Sequence, residues 1–245
     1  MAGLVGLARH VGTASLAGII AGVIVGGLLG RVVMRVSGFT AGPSMVGVST
    51  ENGNPVGDVT LAGTLALVVF TGLAAGLFSG IVYAVVEPWL RRVRPWHGLA
   101  FGVGLLLAFG FLVLDPFNFD FRRFGVAVLN VAMFAALFVV FGAATAWLFD
   151  GIKKLRTGTG AAARITDVLA WAAIVPAAIT AVLIAGSVEG FAGVATISIV
   201  GPLLIAAIVR WRGFPEMLGY ASLTVGVLLG AARTLSGLPQ LLGGL

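Results

Sequence analysis

Long apolar runs alternate along this chain with short clusters of charge, proline and glycine. A helix crosses a hydrocarbon core of ~30 Å in about 20 apolar residues, and by that measure seven runs predict transmembrane spans. Four, at residues 11–30, 59–86, 98–114 and 125–149, are bounded by charge or proline. The runs at 168–185 and 191–209 are separated by the short turn Gly186-Ser187-Val188-Glu189-Gly190. The run at 217–232 is short, so it predicts either a last span or a re-entrant segment. The expected fold is therefore an all-α polytopic transmembrane bundle of about seven spans, or six plus a short segment, in one membrane domain over residues 1–245.

Composition sharpens this reading. Hydrophobic residues make up 59% of the chain, 37 further residues are glycine, and only 10% are charged, where a soluble domain has about a quarter charged. With a mean hydropathy of +1.11, a water-soluble fold is excluded. Cysteine is absent, which removes disulfides, thiolate metal sites and thiol catalysis. Arg9 precedes the first run as in a secretory signal. However, that run exceeds a signal core of about 7–15 residues and leads into Arg31 and Arg35 without a small-residue cleavage site, so it reads as an uncleaved anchor.

The formal charge of +6 and pI near 11.1 need no nucleic-acid partner once the basic residues are assigned to sides. With the N-terminus inside, Arg9, Arg91, Arg92, Arg94, Lys153, Lys154, Arg156, Arg164, Arg210 and Arg212 fall on the cytoplasmic side, ten of the fifteen basic residues. Arg31, Arg35, Arg122, Arg123 and Arg233 fall on the other. Cytoplasmic loops are Lys/Arg-rich, so an N-in, C-out protein of a bacterial cytoplasmic membrane is expected, in contact with lipid and with other membrane subunits or a second copy.

Without a hydrophobic drive between helices in lipid, association relies on close backbone approach at small residues. Gly18, Gly22, Gly26 and Gly30 form one ridge of every-fourth-residue glycines, and Gly72, Gly76 and Gly80 form another, preceded by Thr60 and Thr64. Such ridges serve packing within the chain, a homodimer seam or a gate. Pro176 and Pro202 fall near the middle of their runs, where they kink a helix or expose carbonyls to a bound solute.

Candidate chemistry is sparse. Arg31 and Arg35, one turn apart, would share the outer side with Asp115, Asp120, Arg122 and Arg123. Arginine's planar fork suits carboxylate and phosphate, so these residues form either an anion vestibule or a set of ion pairs and lipid-phosphate anchors. Asn130 is the one carboxamide in a span and serves as a helix bridge or a polar contact for a solute. Glu87, Asp150, Asp167 and Glu216 stand beside proline, glycine or a helix start and read as caps. A retinal protein is excluded because the only lysines, Lys153 and Lys154, are in a loop. His10 and His97 have nothing to fix them face to face around a haem, and Gly158-Thr159-Gly160-Ala161-Ala162-Ala163 follows no strand and reads as a linker. No metal or cofactor is expected.

Gly30-Arg31-Val32-Val33-Met34-Arg35, Gly63-Thr64-Leu65, Gly76 and Gly80-Ile81-Val82-Tyr83 resemble a pattern in uncharacterised polytopic membrane proteins of high-GC bacteria, over roughly residues 14–115. The resemblance implies a membrane bundle and no activity. The residues thus favour a non-enzymatic protein that works by packing, as an accessory or structural subunit or a homo-oligomer. The alternative is a small-solute permease or channel using the outer arginines.

Because the chain lacks cysteine, its orientation is testable with single introduced thiols. An impermeant maleimide applied to intact cells should label Gly53→Cys and spare Thr157→Cys; the reverse pattern would place the N-terminus outside.

Overall fold

The computed structural model describes residues 2–49, 53, 56, 60–114, 124–179 and 216–242, and within these the chain is helical, with helices joined by turns. Among the described residues, five helices are long and apolar enough to cross a membrane: Val5–Thr40, Leu61–Val93, Ala127–Arg156, Ala161–Ile179 and Met217–Leu242. A sixth apolar helix, His97–Leu112, is shorter. The run expected at 191–209, with Pro202, lies outside the described residues, as does the end of the run at 168–185. Pro176 lies within the fourth long helix.

The regular α segments are α1 (Ala2–Ala21), α2 (Gly30–Thr40), α3 (Leu61–Ala66), α4 (Ala75–Leu90), α5 (His97–Phe109), α6 (Ala127–Arg156), α7 (Ala161–Ala172) and α8 (Glu216–Leu242). Most overrun the apolar runs that announce them. Apolar length measures the lipid, whereas a helix continues through any good helix former, and arginine and lysine are among them. Thus the first helix passes Gly30 and carries Arg31 and Arg35 on to Thr40. The last helix corrects an expectation: the segment anticipated as short continues to Leu242, and its 27 residues span about 40 Å at 1.5 Å per residue. Thr60, expected to extend a glycine ridge, instead starts α3 as an N-cap, its hydroxyl accepting the Gly63 amide at 3.1 Å.

Glycine sets how the helices meet. A Cβ on Gly18 would lie 2.1 Å from the Gly76 carbonyl oxygen, and one on Gly22 would lie 2.0 Å from that of Gly72. From the other side, Gly80 meets the Ala14 carbonyl at 2.5 Å. These glycines therefore face each other within the chain, where the helix Val5–Thr40 lies along Leu61–Val93. A second seam joins α5 to α6: a Cβ on Gly102 would meet the Val139 oxygen at 2.5 Å, and one on Gly142 would meet Gly102 Cα at 2.3 Å. Single glycines also allow close approach: a Cβ on Gly12 would lie 2.2 Å from the Ala170 carbonyl oxygen, and one on Gly230 2.3 Å from that of Ala108.

The first ridge does not run on as its spacing predicts. Between α1 and α2 the backbone widens into a π-helix, Gly22–Leu29, and a second one, Leu67–Ala74, joins α3 to α4 and packs against it. Their hydrogen bonds span five residues rather than four, as in the bond from the Gly30 amide to the Val25 carbonyl. The next glycine on the seam is therefore Gly27, whose Cβ position is 2.8 Å from Val68, rather than Gly26. Gly30 meets nothing nearer than 3.8 Å.

Aromatic rings fill the centre. Tyr83 is wholly buried and lies edge-on to Phe101 and Phe149, with centroids 4.8 and 5.2 Å away. Such pairs add about 0.5–1.5 kcal/mol beyond the area they bury. Phe78 and Phe109 form a further edge-to-face pair at 4.9 Å.

The seams predict opposite outcomes for one added methyl group. Gly76→Ala must push the Gly18 carbonyl away and should lower stability by about 1–3 kcal/mol. Gly104, with no atom within 4 Å of its Cβ position, should gain from Gly104→Ala through helix propensity, by up to about 1 kcal/mol. Thermal unfolding in detergent checks both signs.

Candidate functional site at one end of the bundle

Pro88 lies inside α4. Proline has no N–H, so the Ala84 carbonyl four residues earlier loses its helical donor. His10 of α1 supplies a replacement: its Nε2 is 3.0 Å from the Ala84 oxygen, which requires the proton to be on that nitrogen. The ring also stands edge-on to Phe149 at 5.3 Å. The helix consequently survives its proline and carries Glu87 with it.

This corrects the reading of the acidic residues as caps. Glu87 is only 3% exposed and pairs along its own helix with Arg91. Asp150, inside α6, receives Arg94 at 3.3 Å from the turn before α5, with His97 Nε2 3.4 Å away. Asp167, inside α7, takes the Arg156 guanidinium through Nε at 3.0 Å and through Nη2. Two of the four thus tie neighbouring helices together. Glu216 opens α8.

Arg156 is the hub of this end. Besides Asp167, its Nη1 donates to the Arg9 carbonyl at 2.9 Å and to the Thr13 hydroxyl, so one side chain holds α1, α6 and α7 together. Beside it opens a cavity of about 690 Å³, whose walls carry Arg9, Lys153, Arg156 and Arg164 against one carboxylate, Asp167. His10, Thr13 and Phe149 lie at its inner side, and Gly158 and Ala163 bring in the turn leading to α7. The site is not legible in the sequence because Arg9 stands 144 to 155 positions from the other cations; only the folded chain joins them. The available signal was the glycine turn Gly158-Thr159-Gly160 ahead of an uncapped helix start.

At the opposite end, the residues considered for an anion vestibule engage different partners. Arg31 Nη2 lies 3.5 Å from the Thr60 carbonyl, and its Nε is buried without a hydrogen-bond partner. Arg35 stands over the Phe39 ring at 5.2 Å, beside a hollow of about 320 Å³ in which it is the one charged wall. Asn130, 2% exposed, accepts the Ser37 hydroxyl and donates to the Phe124 carbonyl at 2.6 Å, joining α2 to the start of α6. Asp115, Asp120, Arg122 and Arg123 lie outside the described residues. Among the described residues, no group of three or more His, Cys, Asp or Glu is arranged to hold a metal ion.

Comparison with known proteins gives no match, whether to a family model, a curated protein or a solved structure.

If His10 stands in for the missing Pro88 amide, restoring that amide should make His10 less important. A double-mutant cycle of His10→Leu and Pro88→Ala, read by thermal unfolding, should give a coupling of about 1 kcal/mol. Simple additivity would mean that the histidine is held for its ring alone.

Proposed function

We propose that this chain is a non-enzymatic integral protein of a bacterial cytoplasmic membrane, with its N-terminus inside, that works by packing. It is an accessory or structural subunit, bound to other membrane proteins or to further copies of itself. The observation that carries this reading is the centre of the described helices, where the rings of Tyr83, Phe101 and Phe149 pack edge to face. Two buried helix hydroxyls support it too, because they donate to their own backbone, Thr13 to the Arg9 carbonyl at 2.7 Å and Thr145 to that of Phe141 at 2.9 Å. A permeation path instead needs such groups aligned toward a continuous polar cavity. The glycine seams are occupied within the chain, so contact with another subunit uses the exposed apolar faces, for example those carrying Leu61, Trp147 and Met217.

The competing reading is a permease that collects anions at the outer end, favoured by the buried, unpartnered Nε of Arg31. Purification in mild detergent with mass measurement, followed by anion flux in liposomes, separates the two. The packing reading expects a discrete complex heavier than one chain and flux no faster than through protein-free vesicles. A monomer that carries anions would overturn it.

A further inference from the structure

The cavity beside Arg156 has the composition of an anion site rather than of a gap between helices. Arg156 is largely neutralised by Asp167, which leaves Arg9, Lys153 and Arg164 as its other cationic walls. Arg9, Lys153 and Arg164 are exposed, and the Lys153 ammonium lies over the Phe149 ring at 5.8 Å. A second, independent feature points the same way. The twelve-residue α7, which lines the cavity through Ala163, Arg164, Asp167 and Val168, has no side-chain cap at Gly160 and no acidic residue in its first turn. Its first intrahelical bond runs from the Arg164 amide to the Gly160 carbonyl, so the amides of Ala161, Ala162 and Ala163 lack helical acceptors. Uncapped amides and the positive end of the helix dipole favour an anion. Gly160 takes a φ of +120°, and of these three first-turn residues Ala163 lines the cavity. The volume, about 690 Å³, is that of a small-molecule pocket and much larger than a bare ion needs.

We infer that this cavity binds a phosphate group carried on a larger molecule, with Arg9, Lys153 and Arg164 and the start of α7 holding the phosphate oxygens while the aromatic inner wall meets the remainder. The inference does not depend on the packing role proposed above. Two sources share this chemistry: the headgroup of an anionic phospholipid, which the N-in orientation would bring to the mouth from the cytoplasmic leaflet, and a soluble phosphate ester.

The test uses the full chain in phosphatidylcholine nanodiscs, with inorganic phosphate as the probe and chloride at matched ionic strength as the control. Phosphate should raise Tm saturably, as a ligand of the folded state must, and chloride should not. Nanodiscs containing phosphatidylglycerol then identify the source. A raised Tm with no further response to phosphate assigns the lipid headgroup, and an unchanged response assigns the soluble ester. Arg164→Gln and Lys153→Gln should each raise the phosphate concentration for half-maximal effect about fivefold. Independently of those variants, phosphate should slow maleimide modification of Gly158→Cys. No shift with phosphate or phosphatidylglycerol, an equal shift with chloride, or unprotected Gly158→Cys would overturn the inference.

Discussion

Carbonyl oxygens lying where a side chain would otherwise begin govern this architecture. Where α1 meets α4 and α5 meets α6, the backbones are so near that a Cβ on Gly18, Gly102 or Gly142 would sit within about 2.5 Å of the facing chain, closer than van der Waals contact permits. Dispersion and close fit replace the hydrophobic effect as the source of association when the surroundings are themselves apolar. Beside these close approaches the larger side chains Tyr83, Phe101 and Phe149 gather in one buried cluster.

Charge has a complementary role at the end that carries the N-terminus. Close glycine contacts fix separation but resist sliding only weakly. Arg156 and Asp150 act across that direction: one guanidinium reaches Asp167, Thr13 and the Arg9 carbonyl, and one carboxylate receives Arg94. Arg156 is well suited to this because its five donors point in fixed directions and remain charged. The same concentration of basic residues that locks these helices also leaves unneutralised charge beside them.

The sequence made the apolar helices legible because lipid demands length and hydrophobicity directly. The glycine positions 18, 22, 72, 76 and 80 were legible for a similar reason, since a four-residue step is close to the α-helical turn. Gly26 and Gly30 were not, because whether a helix widens is decided by its partner. Helix ends were obscured because Arg31, Arg35 and the residues after Phe149 are as comfortable in a helix as out of one. Glu87 was misread because Pro88 ordinarily stops a helix, and the rescuing His10 is 74 residues away from the carbonyl it serves. The basic cavity is likewise assembled from segments that no local pattern connects.

The two π-helices face each other, and each consists of eight residues. Each delays the phase of its helix, and because both do so at the same level, the faces beyond them stay matched: Gly27 still finds Val68. An insertion or deletion confined to one of them would swing everything beyond it around the helix axis, carrying Arg31 and Arg35 to a different azimuth while the partner stayed put. The two stretches are therefore bound together in length, so that a change in residue number in one is tolerable only with a compensating change in the other.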